Sequence, residues 1–226
     1  MAALVAWPSR PEVTFVIGTR RDGDARLDGP EWGRVTSTIN ASRWTLLTEE
    51  HGTVVRVVKT AGEHCGRDGD AIMTSAASTP IGVWVGDCAP IGLVGDRSIA
   101  VVHAGWRGLE NGVVEAAVDA MVSTGDVLRG AMIGPHIRTC CYEFGSGDLD
   151  RLARRFGAAV RGVTRESRPA FDVNAAIRIV LGRLGVVSIV DVDRCTGCRA
   201  GAFFSHRVRR ENERHLFGAW ITEPPA

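Results

Sequence analysis

Short apolar runs bounded by Gly, Pro and Asp recur along the first half of the chain. EVTFVIGTR (12–20), GTVVRVVK (52–59), DAIMTS (70–75), PIGVWVG (80–86), PIGLVG (90–95) and SIAVVHAG (98–105) predict strands. After Gly108 the period lengthens to that of a helix, with Leu109, Val113, Ala116, Ala117, Ala120 and Met121 on one stripe and Gly125 as its stop. GAMIGP (130–135) and VVSIVDVD (186–193) predict buried strands, and AFFSHRV (202–208) a closing one. GDLDRLARRFG (147–157) and DVNAAIRIVLGRLG (172–185) read as amphipathic helices, the second capped by Asp172 or Asn174. NASRWTLLTEE (40–50) predicts one more helix, with Asn40 as N-cap. Strands and helices mix without a regular βαβ rhythm, and no linker or repeat divides the chain. The pattern predicts one α+β domain over residues 1–226, with mixed β-sheets flanked by helices.

Two reactive side chains stand out in VWVGDCAPIGLVGDRSIAVVHAGWRG (83–108). If Gly95-Asp96 is a two-residue turn, Cys88 falls directly opposite His103; a four-residue loop makes them diagonal neighbours, still within reach of one ion. A thiolate and a neutral imidazole are two ligands of a zinc site that still needs a third. The same pair could serve as nucleophile and base of a Cys–His hydrolase acting on an amide, or be a buried thiol beside a core histidine. HAGWRG then leads through Gly105 into a helix start, where free N–H groups and Arg107 suit an anion. The zinc could also merely stiffen the hairpin of a non-catalytic binding protein.

Composition narrows the partners. Lys plus Arg (27) nearly cancels Asp plus Glu (26), so no global field directs the chain to nucleic acid or a membrane surface. No apolar run approaches the roughly 20 residues of a membrane span, and the first ten residues lack the basic region of a secretory signal. Six scattered cysteines do not make a secreted disulfide framework, so a cytoplasmic protein with reduced thiols is expected, monomeric or a weak homodimer. CTGC (195–198) stands without an obvious second pair and reads as structural, and Cys140-Cys141 as packing residues. His64, His206 and His215 read as surface or rim residues.

GDCAPI, VVHAGWRG, IGPHIRTCCYEFG and FFSHR, in this order, resemble the laccase-domain proteins, also called the polyphenol oxidase or YfiH-type family; EEHG and GDAIMTS fit the segments before them. The resemblance spans about residues 14–221 and implies an α+β domain carrying one zinc on His51, Cys88 and His103. The residues alone do not choose His51 over His64 or Cys65. It further implies phosphorolysis of adenosine, inosine and methylthioadenosine, in some members with adenosine deamination. On that reading a purine nucleoside and phosphate are the small-molecule substrates. Arg107 and Gly105 hold phosphate at the helix start, Ser205 and Arg207 stand at its rim, and Arg20 and His136 contact substrate. Asp87, the carboxylate nearest to Cys88 in sequence, is the candidate proton shuttle. Copper (Cu2+) is the alternative ion for a polyphenol oxidase. Against a laccase stands the histidine inventory, six in all and no His-X-His pair, where multicopper sites need many. Two departures matter: Glu49 and Glu50 replace the family's usual Gln-Val, and the N-terminal third is shortened.

Overall fold

The computed structural model describes residues 1–40 and 42–223. Two sheets and a helical layer are stacked. The first sheet has the order β1 (Ala3–Trp7), β2 (Arg10–Ile17), β12 (His215–Ile221), β5 (Ile81–Val85), every pair antiparallel. The second has the order β11 (Ile189–Asp191), β8 (Leu128–Ile133), β6 (Ala89–Gly95), β7 (Ile99–Ala104), β4 (Ala71–Thr74), β3 (Val55–Val58), with parallel pairs only at its two ends. A small hairpin, β9 (Arg161–Val163) with β10 (Pro169–Phe171), lies apart from both.

The six-stranded sheet is apolar on both faces, which explains why its strands read as continuous hydrophobic runs rather than alternating ones. Along β7, Ile99 and Val101 point to the four-stranded sheet, where they meet Phe15, Val83 and Phe217. Ala100 and Val102 point the other way, to α2 (Trp106–Asn111), α3 (Val113–Ser123), α4 (Ser146–Phe156) and α5 (Val173–Arg183), through Leu109, Val113, Leu149 and Ile177. Each fully buried Val, Leu, Ile or Phe side chain among these stabilises the fold by roughly 1.5–3 kcal/mol relative to exposure. Gly92 in β6 is required by the inter-sheet core, because a side chain there would collide with the ring of Phe15.

Several expectations are corrected. The β6–β7 ladder ends with Val94 paired to Ile99, four residues intervening, and the Gly95 N–H donates to the Ser98 carbonyl at 2.9 Å; the turn is centred on Asp96 and Arg97, so the expected two-residue turn at Gly95-Asp96 does not form. The stripe after Gly108 is broken in two, since Gly112 adopts φ +95° and ends α2 before α3 begins. Residues 42–50 are not helical; the helix lies earlier, as α1 (Trp32–Ile39), and Asn40 is its C-cap. Ala41, within that predicted helix, lies outside the described residues. AFFSHRV is not a strand, because Ser205 turns the chain and its side chain caps α6 (His206–Arg209) by accepting the Val208 N–H. β1 and β12 form although the hydrophobic pattern does not predict them, and β12 buries His215 between Phe203 and Phe204 rather than at the surface. Asp172, not Asn174, caps α5 by accepting the Ala175 N–H.

Candidate metal centre and active site

The chain leaves the four-stranded sheet at Val85, crosses through Gly86, Asp87 and Cys88, and enters the six-stranded sheet at Ala89. This crossover puts Cys88 at the mouth between the two sheets. Pro90 pairs with His103 and Ala89 with Ala104, so Cys88 and His103 are diagonal neighbours on one face. The third donor comes from a loop. His51 sits at φ +59°, a conformation that is uncommon for a side-chain-bearing residue. His51, Cys88 and His103 bring their donor atoms within 4.8 Å of one another, with Cys88 Sγ 3.6 Å from His51 Nε2. His64 and Cys65 take no part.

Asp70 builds this arrangement, and nothing in its sequence surroundings singles it out. It stands just before β4, with its carboxylate accepting the N–H groups of Glu50 (3.2 Å), His51 (2.9 Å) and Gly52 (2.7 Å). The same carboxylate lies 2.9 Å from His103 Nδ1. With Nδ1–H donated to Asp70, His103 presents Nε2 to the site, the usual relation between a metal-binding imidazole and its orienting carboxylate. Burial works against the ionised carboxylate, but the bonds from His103, Gly52 and His51 outweigh it and hold Asp70 below the usual range. Glu49 likewise takes a place that spacing does not predict. Its carboxyl is buried, accepts the Trp84 N–H at 2.9 Å and lies 3.4 Å from His103 Nε2. Burial pushes it up to about 8 against the pull of the His103 charge. Burial would also raise the Cys88 thiol, yet the His103 charge and hydrogen bonds to both imidazoles bring it down to about 6.

Two imidazoles and a thiolate match the donor chemistry of zinc, and three protein ligands leave a position open, as in catalytic rather than structural sites. The surroundings are shaped for this. A Cβ at Gly105 would run into His51 Cδ2 and stand 3.1 Å from Cys88 Sγ, so only glycine lets the α2 start approach the ligands. The same donor set does not fit a multicopper centre, which needs many more imidazoles.

The three donors stand in a cavity of about 570 Å³, a size usual for small-molecule sites. Its wall includes Gly105, Arg107, Asp87 and Arg207 with Trp84, Trp106 and Tyr142. Arg107 lies over the Trp106 ring at 4.3 Å and Arg207 over the Tyr142 ring at 4.8 Å. The remaining expected residues have other places. Asp87 lines the cavity, but its carboxylate accepts Thr196 Oγ1 (2.6 Å), Ser205 Oγ (2.7 Å) and the Arg207 N–H (2.6 Å). It therefore braces the wall, and Glu49 is the carboxyl beside the ligands. Ser205 is fully buried in that brace rather than at a rim. Arg20 is held by Glu211 and the Ala200 carbonyl, and its guanidinium covers the Phe204 ring. His136 is buried, donates Nδ1–H to the Gly134 carbonyl, and stays neutral because burial pushes it down to about 4. Arg20, Ser205 and His136 do not line the cavity. His206, expected at a surface or rim, does. The helix that opens at Trp106 has six residues, so its dipole is small and the cavity's positive charge comes mainly from arginine side chains.

The class that fold and site define is a two-sheet α+β domain with a pocket at the mouth between the sheets and a His2Cys donor set that could hold a metal ion. The chain belongs to the family described as multi-copper polyphenol oxidoreductase laccase, whose model matches residues 31–222. It is 34% identical over 198 residues to a protein of Xylella fastidiosa named purine nucleoside phosphorylase, covering 85% of this chain and 72% of that one. It is 34% identical over 148 residues to adenosine deaminase RL5 from an unknown prokaryotic organism, covering 61% of this chain and 56% of the other. The crystal structure of the Neisseria meningitidis protein NMB0706 superposes with a TM-score of 0.86 over 98% of this chain and 99% of that one; at 24% identity the likeness is one of fold. No helix among the described residues is long and apolar enough to cross a membrane.

Proposed function

We propose that this protein is a zinc-dependent purine nucleoside phosphorylase that takes adenosine, inosine or methylthioadenosine with inorganic phosphate. The observation that carries this reading is the convergence of His51, Cys88 and His103 in one cavity whose wall also holds four arginines, Arg107 and Arg207 among them, and the rings of Trp84, Trp106 and Tyr142. Such a wall suits the ligand pair. Trp84, Trp106 and Tyr142 offer flat apolar surface to a purine, while Arg107 and Arg207 offer forked donors to phosphate.

His51, Cys88 and His103 would hold the zinc ion, which would supply Lewis-acid polarisation of a substrate oxygen. The chain does the rest by position. Asp70 holds the His103 tautomer and the His51 loop. Asp87 fixes the backbone of Arg207, so that its side chain stands over Tyr142. Holding phosphate and nucleoside together removes most of the entropic cost of their encounter. Glu49 is the carboxyl that can give or take a proton beside the ligands. That last position favours a second reaction in the same cavity, deamination of adenosine, in line with the deaminase relative.

The test is chromatography of products after incubating the pure protein with adenosine and phosphate. Adenine plus ribose 1-phosphate, lost in Cys88→Ala, is the expected result; inosine plus ammonia would establish deamination. Unchanged adenosine with zinc bound overturns the purine reading and turns attention to amide hydrolysis at Cys88 or to a binding role.

A further inference from the structure

The two cysteine pairs that stand 54 residues apart or more in the chain (141 against 195) meet in space. β8 and β11 run parallel, and past their ends His136 bridges to Cys195, with the Thr196 N–H donating to the His136 carbonyl at 3.1 Å. This lays residues 195–198 beside residues 138–141. Cys198 Sγ lies 3.3 Å from Cys140 Sγ and 3.4 Å from Cys141 Sγ, and the four sulfurs are within 4.8 Å of one another. The expectation that CTGC lacks a second pair is thereby corrected: Cys140 and Cys141 are that pair.

We propose that Cys140, Cys141, Cys195 and Cys198 hold a second, structural zinc ion. A zinc ion with Zn–S bonds of about 2.3 Å sets its four sulfurs about 3.8 Å apart, between the 3.3 Å of the Cys140–Cys198 pair and the 4.8 Å within which all four sulfurs lie. Sulfurs this close enclose one ion; a polynuclear iron–sulfur cluster, with sulfides of its own, needs them wider. A disulfide would employ two sulfurs and leave two thiols packed against it. One of the sulfurs also has a backbone donor: the Arg138 N–H donates to Cys195 Sγ at 3.4 Å. Gly197 makes room, since a Cβ there would stand 2.9 Å from Cys141 Cβ and 3.0 Å from its sulfur. Four thiolates and one Zn2+ carry a net charge of about −2, and Arg209 lies alongside, donating to the carbonyls of Gly197 (2.9 Å) and Thr196 (3.3 Å). Binding releases the thiol protons to solvent and involves no redox change.

This ion would fasten the wall of the cavity. Thr196, inside the C-x-x-C turn, donates to Asp87, the neighbour of Cys88, and Tyr142 follows Cys141 directly into the cavity lining. The inference does not depend on the purine reading, because it concerns a site with no open coordination position.

Zinc per chain is measured by mass spectrometry on full-length protein purified without a metal-affinity tag. Two equivalents are expected in the wild type, one in Cys198→Ser and one in Cys88→Ala, with a lower melting temperature in Cys198→Ser. In case Cys198→Ser does not fold, Cys88→Ala is reconstituted with Co2+ alone, where the strong thiolate-to-cobalt absorption of a tetrahedral four-sulfur site is expected. A single equivalent in the wild type that disappears in Cys88→Ala overturns the proposal. So does iron in place of zinc, or a native mass short of two hydrogens per bridge, which shows a disulfide.

Discussion

Asp70→Asn isolates the carboxylate that ties the His51 loop to His103. The carboxylate serves four donors, His51 N and His103 Nδ1 on Oδ1, and Glu50 N and Gly52 N on Oδ2. An asparagine has nearly the same shape but only one accepting oxygen. Whichever way the amide lies, one side sets N–H against N–H, and the other loses its charge. A hydrogen bond to a charged group contributes about 1.5–3 kcal/mol net, so losing the two bonds on one oxygen and weakening the two on the other costs at least about 3–6 kcal/mol. For a chain of this size that is a fall in melting temperature of roughly 6–24 °C. A second effect separates from the first. Loss of an orienting partner weakens metal binding by about 10- to 100-fold, here by releasing His103 from the tautomer that presents Nε2. Denaturant melts in excess chelator give the first quantity, and zinc competition against a chromophoric chelator gives the second. Wild-type zinc affinity in a variant that has lost stability would refute the orienting role; no loss of either would refute the whole account of Asp70.

Gly105→Ala places a methyl group against His51 and Cys88. Since Gly105 has φ −70°, the backbone is not strained, and zinc loss with an unchanged circular dichroism spectrum is expected. Asp126 is buried and accepts N–H groups from Ser98 (2.7 Å), Val127 (2.8 Å) and Arg97 (3.1 Å). Burial raises its pKa, but the Ser98 side-chain and backbone bonds outweigh that, so the folded value lies below the unfolded one. Its stabilisation is therefore complete above the unfolded value of about 3.9 and is lost as pH falls through the folded value. In denaturant melts, Asp126→Asn is expected to be less stable than wild type near neutrality, with the gap closing on acidification. Arg107→Ala is expected to raise the phosphate KM at least tenfold while kcat with saturating phosphate changes less. An unchanged phosphate KM would remove Arg107 from the phosphate site.

Part of the site is legible in the sequence. Cys88 and His103 belong to one hairpin, and strand parity puts them on one face whichever even-numbered loop joins them; the four-residue loop decides only the register, diagonal rather than direct. The Arg107 cavity position follows from HAGWRG for the same local reason. Spacing cannot choose His51 over His64 or Cys65, because its place depends on a left-handed loop tied to a carboxylate 19 residues away. Asp87 misleads as a proton shuttle because proximity in sequence to Cys88 says nothing of where a carboxylate points. It does line the cavity, but three donors from residues 196–207 claim both oxygens.

What the sequence by itself determined is whatever rests on periodicity and short separation: the buried strands of the central sheet, the amphipathic helices that cover it, one domain, and a thiol and an imidazole on one hairpin. Tertiary structure decided which distant groups meet. It brought Asp70 and Glu49 onto His103, withdrew Arg20, Ser205 and His136 from the cavity, and joined Cys140-Cys141 to CTGC. The physical reason is that hydrophobic period specifies a face, whereas contacts between loops depend on sheet order and on buried polar groups finding partners. A parallel pairing of β8 with β11, invisible in either segment alone, is what sets four sulfurs around one point.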